Sequence, residues 1–271
     1  MKKKIFFFFI LLLCWLQPVC AQSTSQDSLL KIIRTTTADT NKVHAYIKYG
    51  LLLQPSNPDS AAWYYQQAGA LSRKLNYLPG ELSYISCYSD ILFKNGKADE
   101  AVRINQHAIQ IAKKISAQFE LAIAYNNLAS AYNLKGMYDS ATVYYLSSAN
   151  IFEKIGQPKY LSFIYGNVAA LFEGMGQINK AYEYSRKTIT VSRQTNDSTG
   201  LCTGFINAGG NLIGLKRYEH ALDTLNEGLL IARKLDNIYF EIVGLVNKGD
   251  AFYKLGKTDE GIAAYNESLQ K

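Results

Sequence analysis

Most of the residues that could do chemistry fail on spacing. Leu255-Gly256-Lys257-Thr258 ends like a phosphate-cradling loop, but such a loop needs a glycine five residues before its second glycine, and Ala251 stands there. Gly204, Gly209, Gly210 and Gly214 do not form a dinucleotide fingerprint, and no strand pattern precedes them. His44, His107 and His220 are scattered along the chain, so neither a metal site nor a catalytic triad can be built from them. No cofactor, metal or catalytic residue is implied, and nothing marks the chain as an enzyme. One polar set does recur. Asn127, Asn167, Asn207 and Asn247 are spaced 40 residues apart, with Ile47 and Cys87 at the two earlier places. Asparagine has no helix preference, so four in step need a reason.

The same interval organises the rest of the chain. Small residues stand at Ala61, Ala101, Ala141, Ala181, Ala221 and Gly261, all 40 apart without insertion or deletion. Five residues before them stand Gly96, Gly136, Gly176 and Gly256, with Ser56 and Lys216 as exceptions. Nine before them stand Leu52, Leu92, Tyr132, Phe172, Leu212 and Phe252; seven after them stand Ala68, Ala108, Ser148, Thr188, Gly228 and Ser268. Small residues let helices approach closely, large ones fill the space between, and glycine takes a left-handed turn cheaply. Asp59, Asp99 and Asp139 favour the positive end of each second helix. Arg73-Lys74, Lys113-Lys114 and Arg233-Lys234 suit its negative end. Many of the 20 tyrosines, such as Tyr65, Tyr132, Tyr145 and Tyr265, fall on packing positions rather than on a stacking platform.

This pattern resembles the tetratricopeptide repeat, shown best in Leu128-Ala129-x-x-Tyr132…Gly136…Ala141…Tyr145…Ser148. The resemblance implies an all-α fold: a right-handed α-solenoid of six helix hairpins at about residues 42–75, 77–115, 117–155, 157–195, 197–235 and 237–271. The usual repeat has about 34 residues, so the helices or their connections must be longer here. Three of the four glycines in the first helix of repeat five have no packing role in the pattern, which makes that helix the expected weak joint or hinge. Cys87 and Cys202 fall three repeats apart, too far for a disulfide.

The ends differ from the array. Lys2, Lys3 and Lys4 precede the apolar run Ile5 to Leu16, then Pro18 and Val19-Cys20-Ala21, the order of a signal peptide over residues 1–21. Lipidation would need cleavage before Cys20, for which Gln17-Pro18-Val19 fits poorly. The leader holds three of the 29 Lys+Arg and none of the 22 Asp+Glu, which leaves +4 and argues for no nucleic acid. Residues 22–41 hold a short capping helix. Asp39-Thr40-Asn41-Lys42-Val43 resembles the start of the repeats in exported sensor regions of bacterial envelope proteins. Lys271 falls inside the sixth second helix, so a longer natural product is expected, since solenoids need a polar cap.

The resemblance implies a periplasmic or cell-envelope module that binds a protein or an extended peptide in its concave groove, as the sensory part of a longer signalling protein. A kinase or regulator output and any membrane span would then lie beyond the residues given. The alternative is a free-standing secreted scaffold for envelope proteins. The four asparagines resemble the amide ladder of peptide-binding repeats in O-GlcNAc transferase and kinesin light chain, with Asn133, Glu173, Ile213 and Tyr253 as neighbours that set selectivity. Equally, each Asn could bond to the next repeat and fix its pitch. The sequence leaves the two readings open.

Overall fold

The computed structural model describes residues 26–35 and 37–271, and the expected signal peptide lies outside them. The regular structure among the described residues is helical. Helix α1 covers residues 26–35. It is followed by α2 (Thr40–Leu53), α3 (Pro58–Lys74), α4 (Leu78–Lys94), α5 (Ala98–Lys114), α6 (Gln118–Leu134) and α7 (Tyr138–Lys154). Then come α8 (Pro158–Gly174), α9 (Ile178–Gln194), α10 (Ser198–Gly214), α11 (Tyr218–Lys234), α12 (Ile238–Lys254) and α13 (Thr258–Leu269). From α3 to α12 every helix has 17 residues and every connection three. The 40-residue period is therefore two equal steps, and the residues added to the usual repeat lengthen the helices. The architecture is an all-α solenoid of helix hairpins.

One turn type closes these steps. After α6 the N–H of Met137 donates to the carbonyl of Tyr132 at 2.9 Å, and Gly136 between them has φ 71°. This satisfies orphan carbonyls at the helix end and needs the left-handed region at its middle residue. Gly96, Gly156, Gly176 and Gly256 fill the same place. Asn76, Ser116, Asn196, Lys216 and Asp236 also fill it, with φ between 49° and 61°. Lys216, an exception to the glycine pattern, thus makes the common turn despite its side chain. Ser56 is an exception of another kind. Between α2 and α3 the connection has four residues, with Ser56 and Asn57 both donating to Leu53 O. Helix α2 is consequently one residue out of step with the other first helices. Gly50, and not residue 49, lies against Tyr65 as Gly249 lies against Tyr265.

The helices form two compact units, Met1–Ile115 and Ser116–Lys271. In the first, Val43, Ala61, Tyr65, Ile85 and Leu92 are almost fully buried. Asp39 caps α2 by accepting from Lys42 N (3.0 Å), so the short polar segment expected to lead into the repeats starts the first hairpin. Buried Glu81 receives Arg73 (3.6 Å) and His107 (3.1 Å). In the second unit, Phe152, Leu128, Ile164 and Leu171 fill the core of the first two hairpins, and Leu225 and Ile206 that of the next. Buried Glu241 repeats the arrangement of Glu81, taking Arg233 at 3.0 Å and Lys271 at 2.9 Å. The hydrogen bond from Lys271 chiefly, with Arg233 helping, holds its pKa below the ordinary carboxylate value against desolvation. Arg73 and Arg233, expected only to complement helix ends, are therefore ion-pair partners of buried carboxylates.

The second unit gives one glycine of the expected weak joint a packing role. A Cβ on Gly204 would lie 2.7 Å from Ile189 Cγ1 and 3.1 Å from Ile189 N, so α10 crosses the α9 backbone too closely for a side chain. The glycine there serves contact rather than mobility. Both Cys87 and Cys202 are free thiols, pushed up to a pKa of about 11 by burial.

The turn geometry fixes an expectation for stability. An L residue in the left-handed region costs roughly 1–2 kcal/mol, partly offset by the extra freedom glycine gives the unfolded chain. Lys216→Gly is expected to raise stability by up to about 1 kcal/mol, and Gly136→Ala to lower it by about 1. Thermal or urea melts of both variants read the two signs, and a destabilised Lys216→Gly would contradict the assigned turn.

Candidate functional site

Within the second unit the first helices α8, α10 and α12 pack directly on one another, whereas α9, α11 and α13 do not. The first helices therefore lie on the inner side of this stack. Their solvent-facing positions carry the asparagine row. Asn127, Asn167, Asn207 and Asn247 are all half-buried, one on each successive first helix. The structure brings them to one face and then divides them. Asn167 Nδ2 donates to Asn126 Oδ1 at 2.9 Å, and Asn126 Nδ2 donates to Asn127 Oδ1 at 3.1 Å. These three amides form a relay from α6 to α8, which is the pitch-fixing role. Asn207 and Asn247 make no side-chain hydrogen bond among the described residues, so their amides keep donors and acceptors unused. Asn127 and Asn167 thus bond within the stack, while Asn207 and Asn247 do not.

The neighbouring residues also separate. Asn133 is half-buried beside the start of the row, and Tyr253 is 62 % exposed at its other end. Ile213 packs against Cys202 and Ile206 on one side and Leu212 and Ala221 on the other, so it belongs to the core more than to the face. Glu173, near the end of α8, is the one acid among them. Desolvation of its carboxyl raises its pKa, and a contribution from the Asn211 side chain holds it partly down.

Asn211 and Asn126 escaped the sequence pattern. Asn211 is 1 % exposed, at a place where the other first helices bury Ile91, Ala131, Leu171 and Ala251. The reason lies one helix earlier. Where Tyr65, Tyr145 and Leu225 fill the gap between hairpins, α9 has only Ser185, and Asn211 enters the space it leaves. Ser185 Oγ donates to Asn211 Oδ1 at 2.9 Å, but Asn211 Nδ2 finds no acceptor. A polar residue in an otherwise apolar column was the signal available in the sequence. Gly210 beside it has no side chain to cover the face. A Cβ there would come 3.2 Å from Asn247 Nδ2 and 3.9 Å from Glu173 Oε1, so side chains from α8 and α12 converge over the bare backbone of α10.

No group of three or more His, Cys, Asp or Glu among the described residues is placed to hold a metal ion. No described helix is long and apolar enough to cross a membrane. The arrangement offers amide donors and acceptors in a row and one exposed carboxyl.

Comparison with known proteins agrees with this geometry. Two tetratricopeptide repeat family models match, one at residues 82–154 and one at residues 244–270. The chain contains tetratricopeptide repeats. It is similar to a Rap protein solved in complex with Competence and Sporulation Factor, at 15 % identity and a TM-score of 0.72, over 95 % of this chain and 72 % of that one. It is similar to a signal transduction ATPase with a tetratricopeptide repeat sensor from Pyrococcus horikoshii, at 16 % identity and TM-score 0.72, over 89 % of this chain and 38 % of that one. It is also similar to BtubC from P. vanneervenii, at 16 % identity and TM-score 0.63, over 87 % and 91 % of the two chains. No curated protein shows significant similarity to it.

The division of the asparagines has a measurable consequence. Asn167→Ala removes a bond to Asn126 and leaves that half-satisfied relay inside the stack, so it is expected to cost about 1 kcal/mol. Asn207→Ala removes no internal bond and is expected to leave the melt within about 0.5 kcal/mol of the parent. Equal losses for the two variants would mean that Asn207 is pinned as well.

Proposed function

We propose that this tetratricopeptide repeat protein is an exported interaction module that holds an extended peptide segment of a protein partner along the first helices of its second unit. The observation that carries the reading is the pair Asn207 and Asn247, half-buried on the inner face with amides that serve no internal bond. An Asn amide can accept from one peptide N–H and donate to the next C=O, which binds backbone of any sequence. Backbone binding of this kind gains little per residue, because each bond nets about 0.5–1.5 kcal/mol against water. Selectivity must then come from the side chains beside the row. The Rap protein complexed with Competence and Sporulation Factor supports a fold of this type holding a signalling factor.

Export rests on the leader-like residues 1–21, and the sensory role on the resemblance of the repeats to exported sensor regions. The repeat sensor of the archaeal signal transduction ATPase supports that role. In this reading the module senses a partner in the envelope and passes the signal to a kinase or regulator domain. A secreted scaffold remains the second reading, favoured by the same binding face and separated from the first by whether an output domain is joined to it.

Binding is tested with a library of extended peptides displayed to the purified protein. The parent is expected to retain a subset with micromolar affinity, and Asn207→Ala/Asn247→Ala to weaken them by about 1–3 kcal/mol without lowering the melt. Retention unaffected by the double variant would place the peptide elsewhere. Expression of the full chain in a bacterium, with the N-terminus of the product sequenced, checks export: the expected first residue is Gln22.

A further inference from the structure

The selectivity of the face has a definite chemistry if peptides bind there. Glu173 projects from the end of α8 toward α10, where Gly210 leaves the helix backbone bare. Among the described residues no lysine or arginine pairs with it. The nearest cation in sequence, Lys180, sits instead over the Phe172 ring, 5.1 Å from its centroid. Glu173 is exposed, so its carboxylate is open to a cation arriving from solvent. The second observation is independent of this one. Asn211, 1 % exposed, keeps its Nδ2 donors without an acceptor, although Ser185 satisfies its Oδ1. Asn211 directly follows Gly210 in α10, and its side chain acts to lower the pKa of Glu173. A buried donor left open in this way takes any acceptor oxygen, and a carboxylate is the strongest of these. Asn247, reaching back from α12 over Gly210, supplies an amide on the other side of the same space.

We propose that Glu173, Asn247 and the bare backbone at Gly210 form a pocket for the ammonium or guanidinium group of a lysine or arginine on the bound peptide, with Asn211 as the positioning residue for Glu173. This rests on the peptide-groove reading and adds the side chain that the groove selects. The cation donates to one Glu173 oxygen, and the carboxylate also accepts from Asn211 Nδ2. With the Asn247 amide turned so that Oδ1 rather than Nδ2 faces the space, it accepts a second hydrogen from the cation. The other first helices lack this combination. Asp90, Ser130, Ala170 and Asp250 stand where Gly210 does, so only α10 leaves the space open. The acid equivalent to Glu173 is absent too, since Asn133, Ile213 and Tyr253 hold that place.

The experiment uses labelled extended peptides of Ser, Thr and Ala with a single central Lys, Arg, Gln or Glu, titrated by fluorescence anisotropy. The parent is expected to bind Lys- and Arg-centred peptides about tenfold more tightly than the Gln-centred one, since a hydrogen bond between charged groups is worth that much. Glu173→Gln should bring all four to the Gln-centred affinity, with the melt unchanged. Gly210→Ala keeps the carboxylate but fills the notch, and should weaken the Lys-centred peptide several-fold while sparing the Gln-centred one. Equal affinities in the parent would overturn the pocket and leave the groove intact. A basic preference that survives Glu173→Gln would also overturn it, by placing the attraction elsewhere. No binding of any peptide would remove the groove reading and the pocket with it.

Discussion

Close approach of backbones is the constraint on which this molecule depends. Ala61, Ala141, Ala181 and Ala221 show no exposure at all, and each stands where a second helix crosses its own first helix. A larger side chain there would push the hairpin open, and every neighbouring contact would follow. Because each hairpin buries its apolar face only against the next, such an error would not be absorbed locally. The large residues are placed in answer to the small ones. Tyr265 covers Gly249, Leu225 covers Gly209 and Tyr65 covers Gly50, each ring or branch lying within contact of the absent side chain. Packing at constant volume, rather than any particular residue, is what the period preserves.

That is why the fold was legible and parts of it were not. The six small anchors and the recurring glycines give the hairpins, their number and their period without further help, because sterics admit few residue types at those places. The turns with Asn76, Asn196, Lys216 and Asp236 were hidden. A left-handed residue costs only a little against the closure of two hydrogen bonds, so the array tolerates poor choices there. The slip in α2 was hidden for the same reason. Gln54-Pro55-Ser56-Asn57 takes up one residue, and the anchor spacing on either side shows nothing of it. The packing role of Gly204 was hidden, since a pattern along one chain cannot show which backbone crosses over it.

The asparagine row was legible in its spacing and illegible in its detail. Identical residues at identical spacing acquired different roles because their surroundings differ. Asn126 precedes Asn127 only in the third hairpin, while Gly166, Ile206 and Val246 take its place in the later ones. One extra amide is enough to draw Asn127 and Asn167 into the stack. Further along no such partner exists, and Asn207 and Asn247 stay open. Bonded and unbonded amides thus share one column of residues, and the division between them is set by its neighbours. Asn211 extends the point. Its burial follows from a small residue, Ser185, on the preceding helix, a relation between hairpins that spacing within one hairpin does not reveal.

The two buried carboxylates bear on how such an array keeps its order. Glu81 and Glu241 occupy the position at which Leu121 and Leu161 are buried. Leucine there would be at least as stabilising, because a buried ion pair seldom repays the desolvation of its charges. It would also be indiscriminate, since an apolar ridge packs on any apolar groove of like shape. A buried glutamate is tolerable only where an arginine stands on the preceding second helix, as Arg73 and Arg233 do. Elsewhere that place is held by Lys113, Glu153 and Arg193, next to Leu121, Leu161 and Leu201. Misstacking either glutamate-bearing hairpin against the Glu153 surface would bury two like charges without a cation. In a chain of near-identical hairpins the pairs therefore act against wrong neighbours more than for right ones. The interior leucines supply cohesion, and the two ion-paired junctions supply the addresses that a purely apolar seam would lack.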